Sequence, residues 1–336
     1  MKEYIVTGAT GYVGYVLVHK LIENGYQPVK ILIRSKKSKS RFSHLPVEVA
    51  LGDINDEQFL EREISPNSVV FHLAGIVDIG NFKKQQIYET NVNGSLKIIN
   101  ACINNKAEKL IYTSSVSAIV PPKNNEKIVE PKHFELKKLS GHYAKSKAIT
   151  TNYLLNKSQN GKLNAVVAYP SAIIGPYDYN VSNLGQVVIS YLNKSLFAYT
   201  KGKYNFVDVR DVAAGLIKCY EEGKSGEGYL LTGQTVTLKE MFEILNEILN
   251  RPKLPLKLPL WFIKMVLPFV ELFYTIKRKN PIFGRSSIRF LNQNSNFDNT
   301  KAKQELNFNP RPVAISFNDM INWFYENKPD LLKKHN

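Results

Sequence analysis

A glycine-rich stretch near the N-terminus reads Thr7-Gly8-Ala9-Thr10-Gly11-Tyr12-Val13-Gly14. It follows an apolar run, 4–7, that is typical of a buried strand, and it opens residues 12–23, whose apolar spacing predicts a helix. Glycines at such a junction allow a tight turn and a close approach of backbone N–H groups to a phosphate, and the helix start adds positive partial charge. This position between a first strand and a first helix predicts a dinucleotide-binding loop.

Strand and helix patterns alternate outward from this loop. Further strands are predicted at 29–33, 47–51, 69–73, 110–113 and 165–169, and further helices at 86–104, 140–156, 237–249 and 315–326. Such alternation predicts βαβ units and a parallel sheet that is covered by helices on both faces. The expected fold class is therefore α/β, a doubly wound parallel Rossmann sheet with a smaller C-terminal substrate-binding lobe.

The second half of the chain sets the expected domain organisation. After about residue 175, proline and glycine separate shorter elements. We expect a nucleotide-binding domain over 1–175, with 205–235 returning to it, and a lobe that is mainly substrate-binding over 176–330.

Composition narrows the class of protein. The 336 residues carry a net charge of +16, but the basic residues are scattered and no nucleic-acid motif is present, so no nucleic-acid partner is expected. Cys102 and Cys219 form no Cys-x-x-Cys pair, and the N-terminus shows no signal region. A reducing, cytoplasmic location is therefore expected. No cluster has the spacing of metal ligands, so no metal is expected.

The end of the second predicted strand bears on the choice of cofactor. Residues 33–41 read Ile-Arg-Ser-Lys-Lys-Ser-Lys-Ser-Arg and contain no carboxylate that would repel an adenosine 2′-phosphate. Arg34 can bind such a phosphate through its guanidinium, and Ser35 and Lys36 can complete the pocket. We predict a preference for NADP(H), with NAD(H) as the alternative.

A tyrosine and a lysine begin the helix predicted at 140–156. Tyr143 and Lys147 are four residues apart, so they face the same side of the helix. A nearby ammonium lowers the pKa of a phenol, which lets Tyr143 act as a general acid in reduction or a general base in oxidation. The strand predicted at 110–113 continues into Ser114 and Ser115, whose hydroxyls can bind a substrate oxygen at the edge of the sheet.

Together, TGATGYVG, the strand-end serines and YAKSK resemble the extended branch of the short-chain dehydrogenase/reductase superfamily, over roughly residues 1–215. The resemblance implies a catalytic group of Ser115, Tyr143 and Lys147, with Ser114 as the neighbouring alternative to Ser115. It implies that Lys147 also holds the ribose hydroxyls of the cofactor. It also implies a homodimer.

The resemblance extends to further cofactor contacts. FHLAG at 71–75 resembles a strand motif that lines the cofactor, and residues 169–176 resemble a loop that contacts nicotinamide. Asp53 lies where the family has an acid near adenine, although it can instead cap a helix over 55–63. The cofactor-binding residues expected in all are Gly8, Thr10, Gly11, Tyr12, Val13, Gly14, Arg34, Ser35, Lys36, Asp53, Ile54, Leu73, Ala74, Gly75, Asn91, Thr113, Tyr143, Lys147, Pro170 and Ile173.

Three departures separate the chain from the sugar-nucleotide enzymes of the superfamily. Val116-Ser117 replaces their Asp-Glu pair, residues 118–122 lack their Tyr-Gly, and Lys203-Tyr204-Asn205 replaces their diphosphate-binding arginine. The chain looks closest to the dihydroflavonol-reductase-like and 3β-hydroxysteroid-dehydrogenase-like subgroup. We expect hydride transfer between NADPH and the carbonyl of a moderately apolar small molecule. The alternatives are a sugar-nucleotide epimerase or dehydratase and a non-catalytic NADP-binding sensor or assembly protein.

The segment 254–279 is unusually apolar. It reads LPLKLPLWFIKMVLPFVELFY up to residue 274, and Lys277-Arg278-Lys279 follow shortly after. Three interpretations remain open: a lid over an apolar pocket, a peripheral contact with anionic lipid, and a packed helix.

Overall fold

The structure is a computed structural model that describes residues 2–78, 83–122, 126–196, 198–263, 265–267, 291 and 293–333. The part of the 254–279 segment beyond residue 267 therefore lies outside the described residues. None of the helices within the described ranges is both long enough and apolar enough to cross a bilayer.

The chain alternates between strands and helices along most of its length. The strands are β1 Glu3–Thr7, β2 Val29–Ile33, β3 Val47–Leu51, β4 Ser68–His72, β5 Lys109–Thr113, β6 Ala165–Pro170, β7 Ala172–Ile174, β8 Ala198–Tyr199, β9 Lys203–Asp208, β10 Gly228–Leu231, β11 Gln234–Thr237 and β12 Leu256–Lys257. The α-helices are α1 Tyr12–Glu23, α2 Glu57–Glu63, α3 Lys84–Ile87, α4 Ser95–Asn104, α5 His142–Gln159, α6 Asn183–Leu192, α7 Val209–Glu221, α8 Leu238–Leu249, α9 Thr300–Leu306 and α10 Val313–Asn327.

Seven strands form the central sheet, in the order β10-β6-β5-β4-β1-β2-β3. Every neighbouring pair in it is parallel. The strand order reverses at β1, which pairs with β2 on one side and β4 on the other. Open α/β sheets bind ligands beyond the carboxyl ends of the strands at such a point. The glycine-rich loop 7–14 lies there, which confirms the predicted Rossmann-type fold.

Helices bury both faces of this sheet. On one face, the side chains of α1, α7 and α9 pack into an apolar core with alternate strand residues. On the other face, α2, α4 and α5 do the same. The strands are consequently apolar on both sides, as in β4, where all five residues are buried. This double burial holds the carboxyl edge of the sheet, and the loops that follow it, in place.

A smaller lobe covers that edge. It contains a sheet of β11, β9 and β7 and a third apolar core to which α6, α8 and α10 contribute. A two-stranded sheet joins β8 to β12. After β9 the chain leaves the small sheet, adds α7 and β10 to the large one, and returns as β11.

The segment predicted as a helix over 86–104 is helical throughout, but it is not a single regular α-helix. Between α3 and α4, residues Tyr88–Gly94 form a π-helical turn. There the Asn91 side chain exchanges hydrogen bonds with the backbone of Ile76, and Gly94 lies so close to Ile54 that an added Cβ would meet its side chain at 2.7 Å. Such contacts widen the helix locally, and apolar periodicity does not report them.

Candidate active site

The glycines of the loop 7–14 are required by close backbone approaches. Gly8 has a φ of +71°, and a Cβ there would lie 2.6 Å from the Ala74 backbone nitrogen. A Cβ on Gly14 would lie 2.2 Å from the Gly8 carbonyl oxygen. Any other residue would force β1, α1 and the chain at Ala74 apart. Glycine at these two positions therefore keeps the loop backbone close to its neighbours, where a ligand can approach it.

The start of α1 suits an anion. Gly11 occupies the N-cap position without a side-chain cap, and its own N–H donates to the Gly8 carbonyl at 2.9 Å. The first-turn N–H groups of α1 are therefore not occupied by a capping side chain. Gly11, Tyr12, Val13 and Gly14 all line the main cavity of the protein. Free N–H groups and the helix dipole make this a site for a phosphate.

The main cavity has a volume of about 1120 Å³ and is built by both lobes. The large sheet contributes the loops at its carboxyl edge. The small lobe contributes a mostly apolar wall, which includes Leu184, Val187, Tyr199, Leu238, Met241 and Phe242. A cavity of this size exceeds most small-molecule pockets, so it has room for a cofactor and a second molecule together.

The cavity brings together most, but not all, of the predicted site residues. Those that line it are Gly8, Gly11, Tyr12, Val13, Gly14, Leu73, Gly75, Thr113, Ser115, Tyr143, Lys147, Pro170 and Ile173. Those that lie outside its lining are Thr10, Arg34, Ser35, Lys36, Asp53, Ile54, Ala74 and Asn91.

A serine and a tyrosine meet in the cavity. The Ser115 hydroxyl is close enough to the Tyr143 phenol to lower the pKa of that phenol, and both residues line the cavity. Ser115 also caps the short 3₁₀ turn that follows β5 by accepting from the Ser117 N–H at 3.1 Å. The neighbouring Ser114 hydroxyl is turned into the protein, where it shares a 2.7 Å hydrogen bond with Thr151. Of the two strand-end serines, Ser115 is thus the one whose hydroxyl contacts Tyr143.

Lys147 lies one helical turn from Tyr143 and is buried, with 4% of its surface exposed. Its Nζ donates to the Thr113 carbonyl at 2.7 Å and lies 4.8 Å from the centre of the Tyr112 ring. Burial lowers the pKa of Lys147 to about 7, because a charged ammonium loses its hydration there. Its protonation therefore changes near neutral pH.

The pKa of Tyr143 moves in the direction opposite to the sequence-based expectation. Burial raises the pKa of this phenol, and the hydrogen bond from Ser115 lowers it only partly. An ammonium at Lys147 was expected to lower it. The burial that positions both groups also weakens the charge of Lys147, so desolvation is the larger effect on both.

Asn91 connects the site to its surroundings. Its Oδ1 accepts from the Ile76 N–H at 2.7 Å, while its Nδ2 donates to the Ile76 carbonyl at 2.9 Å and to the Ser146 hydroxyl at 3.2 Å. Ser146 is on α5, between Tyr143 and Lys147. Asn91 therefore holds the loop after β4 against the helix that carries the candidate catalytic residues.

His72 has a structural role at the end of β4, as its place in the FHLAG motif indicates. Its ring nitrogens lie 2.7 Å from the Thr7 hydroxyl and 2.8 Å from the Ser95 hydroxyl, and Thr7 in turn accepts from the Ala74 N–H at 3.2 Å. Burial lowers the pKa of His72 to about 3, so the ring is neutral. It links the ends of β1 and β4 to α4. The sequence places the histidine at a strand end, but it does not show these partners.

The three residues predicted to bind the adenosine 2′-phosphate, Arg34, Ser35 and Lys36, are exposed, whereas Ile54 is buried. The Arg34 side chain is 67% exposed, and its guanidinium is 4.0 Å from the Asp53 carboxylate. Ser35 precedes a 3₁₀ helix, Lys36–Phe42. Asp53 does not cap α2: that alternative was wrong, because Asp56 accepts from the Phe59 N–H and α2 begins at Glu57. The Asp53 carboxylate instead accepts from the Asn55 backbone at 2.9 Å.

Arg41 holds the glycine-rich loop in place, and the sequence did not indicate this role for Arg41. Its guanidinium donates to the Thr10 carbonyl at 3.0 Å and lies 5.1 Å from the Tyr179 ring. The Asn180 side chain, from the small lobe, donates to the same carbonyl at 3.0 Å. Two distant parts of the chain, around residues 41 and 180, thus converge on this turn. In the sequence, Arg41 is only the last residue of the basic run 34–41.

Comparison with known proteins identifies the family. The sequence model of a family described as 3-beta hydroxysteroid dehydrogenase/isomerase matches residues 5–219. The chain belongs to this family. It is accordingly an NAD(P)-dependent dehydrogenase or reductase of the extended short-chain type, and the predicted resemblance is confirmed.

Relatives of full length support this assignment. The sterol demethylase protein B of Methylococcus capsulatus is 28% identical over 330 residues, which cover 96% of this chain and 98% of the relative. The crystal structure of gox2253 is 27% identical, covers 99% of this chain and 100% of that chain, and has a TM-score of 0.86. A dTDP-glucose 4,6-dehydratase of Streptomyces venezuelae with bound NAD shares the fold at 18% identity and a TM-score of 0.77, covering 97% and 98% of the two chains.

The described residues include no candidate metal site, and both cysteines are buried. Within those ranges, no group of three or more His, Cys, Asp or Glu side chains is placed to hold a metal ion. Cys102 and Cys219 are buried, and burial raises the pKa of both thiols to about 12.

Proposed function

We propose that this protein is an NADPH-dependent oxidoreductase that transfers a hydride to or from the carbonyl or alcohol carbon of a moderately apolar small molecule. The observation that carries the proposal is that Ser115, Tyr143 and Lys147 line the same cavity as the glycine-rich loop, with the Ser115 hydroxyl close enough to Tyr143 to lower the pKa of its phenol.

The residues at the sheet edge fit a nicotinamide dinucleotide. The backbone around Gly8 and Gly14 leaves no room for a Cβ atom at either position. The start of α1 has no side-chain cap, which suits a pyrophosphate. Thr113 lines the cavity, and its buried hydroxyl has no hydrogen-bond partner among the described residues. When bound, the cofactor would supply the hydride in reduction and accept it in oxidation.

Residues of the chain would bind the substrate oxygen and transfer the proton to or from it. Ser115 would donate a hydrogen bond to the substrate oxygen, which polarises the carbonyl. Tyr143 would give its phenolic proton to that oxygen in reduction and take it back in oxidation, a role that contributes about 10²–10⁴ in rate. Lys147 would hold the ribose hydroxyls, and its positive charge would stabilise the phenolate that forms.

The proposed preference for NADPH rests on the end of β2. Arg34, Ser35 and Lys36 follow that strand, and the Arg34 guanidinium is free enough of protein contacts, at 67% exposure, to turn toward a phosphate. A mobile guanidinium can form two parallel hydrogen bonds with a phosphate. Asp53 is the nearest acid, and it lies at the end of β3 rather than on the strand that would face the ribose.

The substrate is proposed to occupy the part of the cavity formed by the small lobe. We assign cofactor binding mainly to 1–175 with 205–235, and substrate binding mainly to 176–330. The wall there is mostly apolar, and a full-length relative is named for a sterol, so an apolar carbonyl compound is the substrate class we favour. A homodimer in the cytoplasm remains part of the proposal.

Two fluorescence titrations of the purified chain, with NADPH and with NADH, test the cofactor assignment. We expect NADPH to bind at least tenfold more tightly. Turnover is then followed at 340 nm with a panel of apolar ketones and aldehydes. A cofactor that is retained through purification, with no net consumption, would favour an epimerase. Binding of NADPH without turnover of any carbonyl would favour a sensor.

A further inference from the structure

Three large apolar side chains are exposed within ten residues of the small lobe. Leu256, in β12, is 63% exposed, and Trp261 and Met265 are 66% and 54% exposed. We call these three side chains the apolar patch. Residues 260–263 and 265–267 are helical, so Trp261 and Met265, four residues apart, share one face. Isolated exposed apolar residues are ordinary, whereas several large ones close together indicate an interaction surface.

The other face of this helical segment belongs to the cavity wall and the core. Ile263 lines the main cavity, and Leu267 is only 6% exposed. These two residues are also four apart, and they alternate with Trp261 and Met265. The segment is therefore apolar on both faces, with one directed inward and the other outward.

The two stretches of chain that border the patch are basic, whereas the adjoining helix α8 carries the exposed acids Glu240, Glu243 and Glu247. β12 pairs with β8, and the Leu258 N–H donates to the Tyr199 carbonyl at 2.7 Å, so these two strands lie side by side. In the sequence they belong to the stretches 250–267 and 193–207. These two stretches contain no aspartate or glutamate. Their basic residues are Lys194, Lys201, Lys203, Arg251, Lys253, Lys257 and Lys264. Lys194, Lys201, Lys253 and Lys257 are exposed.

We propose that this face docks on an anionic lipid surface, with the apolar patch inserted at the level of the acyl chains and the flanking lysines against the lipid phosphates. Large apolar side chains bordered by lysines are suited to the boundary between headgroups and hydrocarbon. A nucleic acid would engage the lysines but would leave Trp261 and Met265 in water. A second copy of the chain would bring a surface of the same positive charge, which opposes self-association at this face.

Docking places the cavity next to the lipid. Ile263 lines the cavity from the segment whose outer face carries the patch, so an apolar substrate would have a short path from the bilayer to the site. This consequence rests on the proposed function. The lipid binding itself does not, because it needs neither cofactor nor turnover.

Flotation of the full chain with vesicles tests the proposal. Vesicles of phosphatidylcholine with 30 mol% phosphatidylserine are compared with vesicles of phosphatidylcholine alone. We expect clear binding to the first and at least tenfold weaker binding to the second. The triple variant Leu256→Ser, Trp261→Ser, Met265→Ser should lose at least tenfold in affinity for the anionic vesicles. The variant Ile315→Ser, Tyr325→Ser, which removes exposed apolar residues on α10, should bind as the parent does.

A second pair of variants tests the lysines. Lys253→Gln with Lys257→Gln should weaken binding to anionic vesicles by about fivefold per lysine. Lys162→Gln with Lys303→Gln, two exposed lysines elsewhere, should change it by less than twofold. NADPH titration and the midpoint of thermal unfolding should be unchanged in all four variants, which separates a lost surface from a lost fold.

Several results would overturn the proposal. One is the absence of binding to anionic vesicles by the parent chain, and another is unchanged binding by the triple serine variant. A third is a change of oligomeric state in that variant, measured by light scattering, without a change in vesicle binding. A duplex oligonucleotide that bound more tightly than the vesicles, and lost affinity with the same three substitutions, would also overturn it.

Discussion

The two ends of the proposed cofactor site differ in how firmly the protein holds them. At the catalytic end, Lys147 is 4% exposed and hydrogen-bonded to the Thr113 carbonyl, and the Ser115 hydroxyl lies close enough to Tyr143 to lower the pKa of its phenol. At the adenosine end, the Arg34 side chain is 67% exposed and 4.0 Å from its nearest acid. The comparison suggests that chemistry requires groups fixed before substrate arrives, whereas phosphate recognition tolerates a side chain that is ordered by its ligand.

The largest effect is expected at the buried end. Replacing Tyr143 by Phe removes the proton donor but keeps the ring, so kcat should fall by about 10²–10⁴ while the Kd for NADPH changes less than threefold. Tyr153→Phe, on the same helix, is the matched control and should retain activity. Turnover at 340 nm and fluorescence titration measure the two quantities. Near-normal turnover in Tyr143→Phe would contradict the role of Tyr143 as the proton donor, and with it the contrast between the two ends of the site.

The two strand-end serines give the next effect. Ser115→Ala should lower kcat about 10²-fold, because it deletes the hydroxyl that contacts Tyr143 and would polarise the substrate. Ser114→Ala deletes a hydroxyl that is bonded to Thr151, so kcat should change by less than fivefold. Steady-state kinetics of the two variants decide between them. The reverse order would show that the hydroxyl turned into the protein is the active one.

A smaller effect is expected at the exposed end. Arg34→Ala should raise the Kd for NADPH by about tenfold and leave the Kd for NADH nearly unchanged, since only the former would lose a charged hydrogen bond. Lys37→Ala, in the same basic run, serves as the control. An equal loss for both cofactors would mean that Arg34 contacts a part they share, such as adenine or the pyrophosphate.

The smallest expected effect concerns stability. The pKa of Lys147 is about 7 in the fold and about 10.5 when exposed, so the buried ammonium destabilises the fold at and below pH 7, and this cost disappears as the pH rises toward 10.5. Lys147→Met should therefore raise the thermal midpoint by a few degrees at pH 7, with less gain at pH 10, while activity is lost. Lys145→Met is the control, and scanning calorimetry is the measurement. A lower midpoint in Lys147→Met at pH 7 would contradict the assigned pKa.

The difference in burial also explains which site predictions could be made from sequence. Tyr143 and Lys147 are one helical turn apart, so their relation follows from local geometry once the helix forms. Arg34 has the right charge at the right strand end, but its exposed side chain has no single position that a sequence pattern could specify. The predicted capping of α2 by Asp53 was wrong, because three acids or amides in 53–56 compete for the same turn and packing selects Asp56.

The alternation of strands and helices, the glycine-rich loop and the spacing of the catalytic pair could be read from the sequence, because each depends on neighbours within a few residues. The parallel sheet was inferred from that alternation. Three features appear only in the tertiary structure: the π-helical turn at Asn91 with its bonds to Ile76, the link from His72 to Thr7 and Ser95, and the support of Thr10 by Arg41. These contacts join residues 15 to 65 positions apart. Such partners meet only when the chain packs into its tertiary structure, and local sequence patterns do not specify that packing.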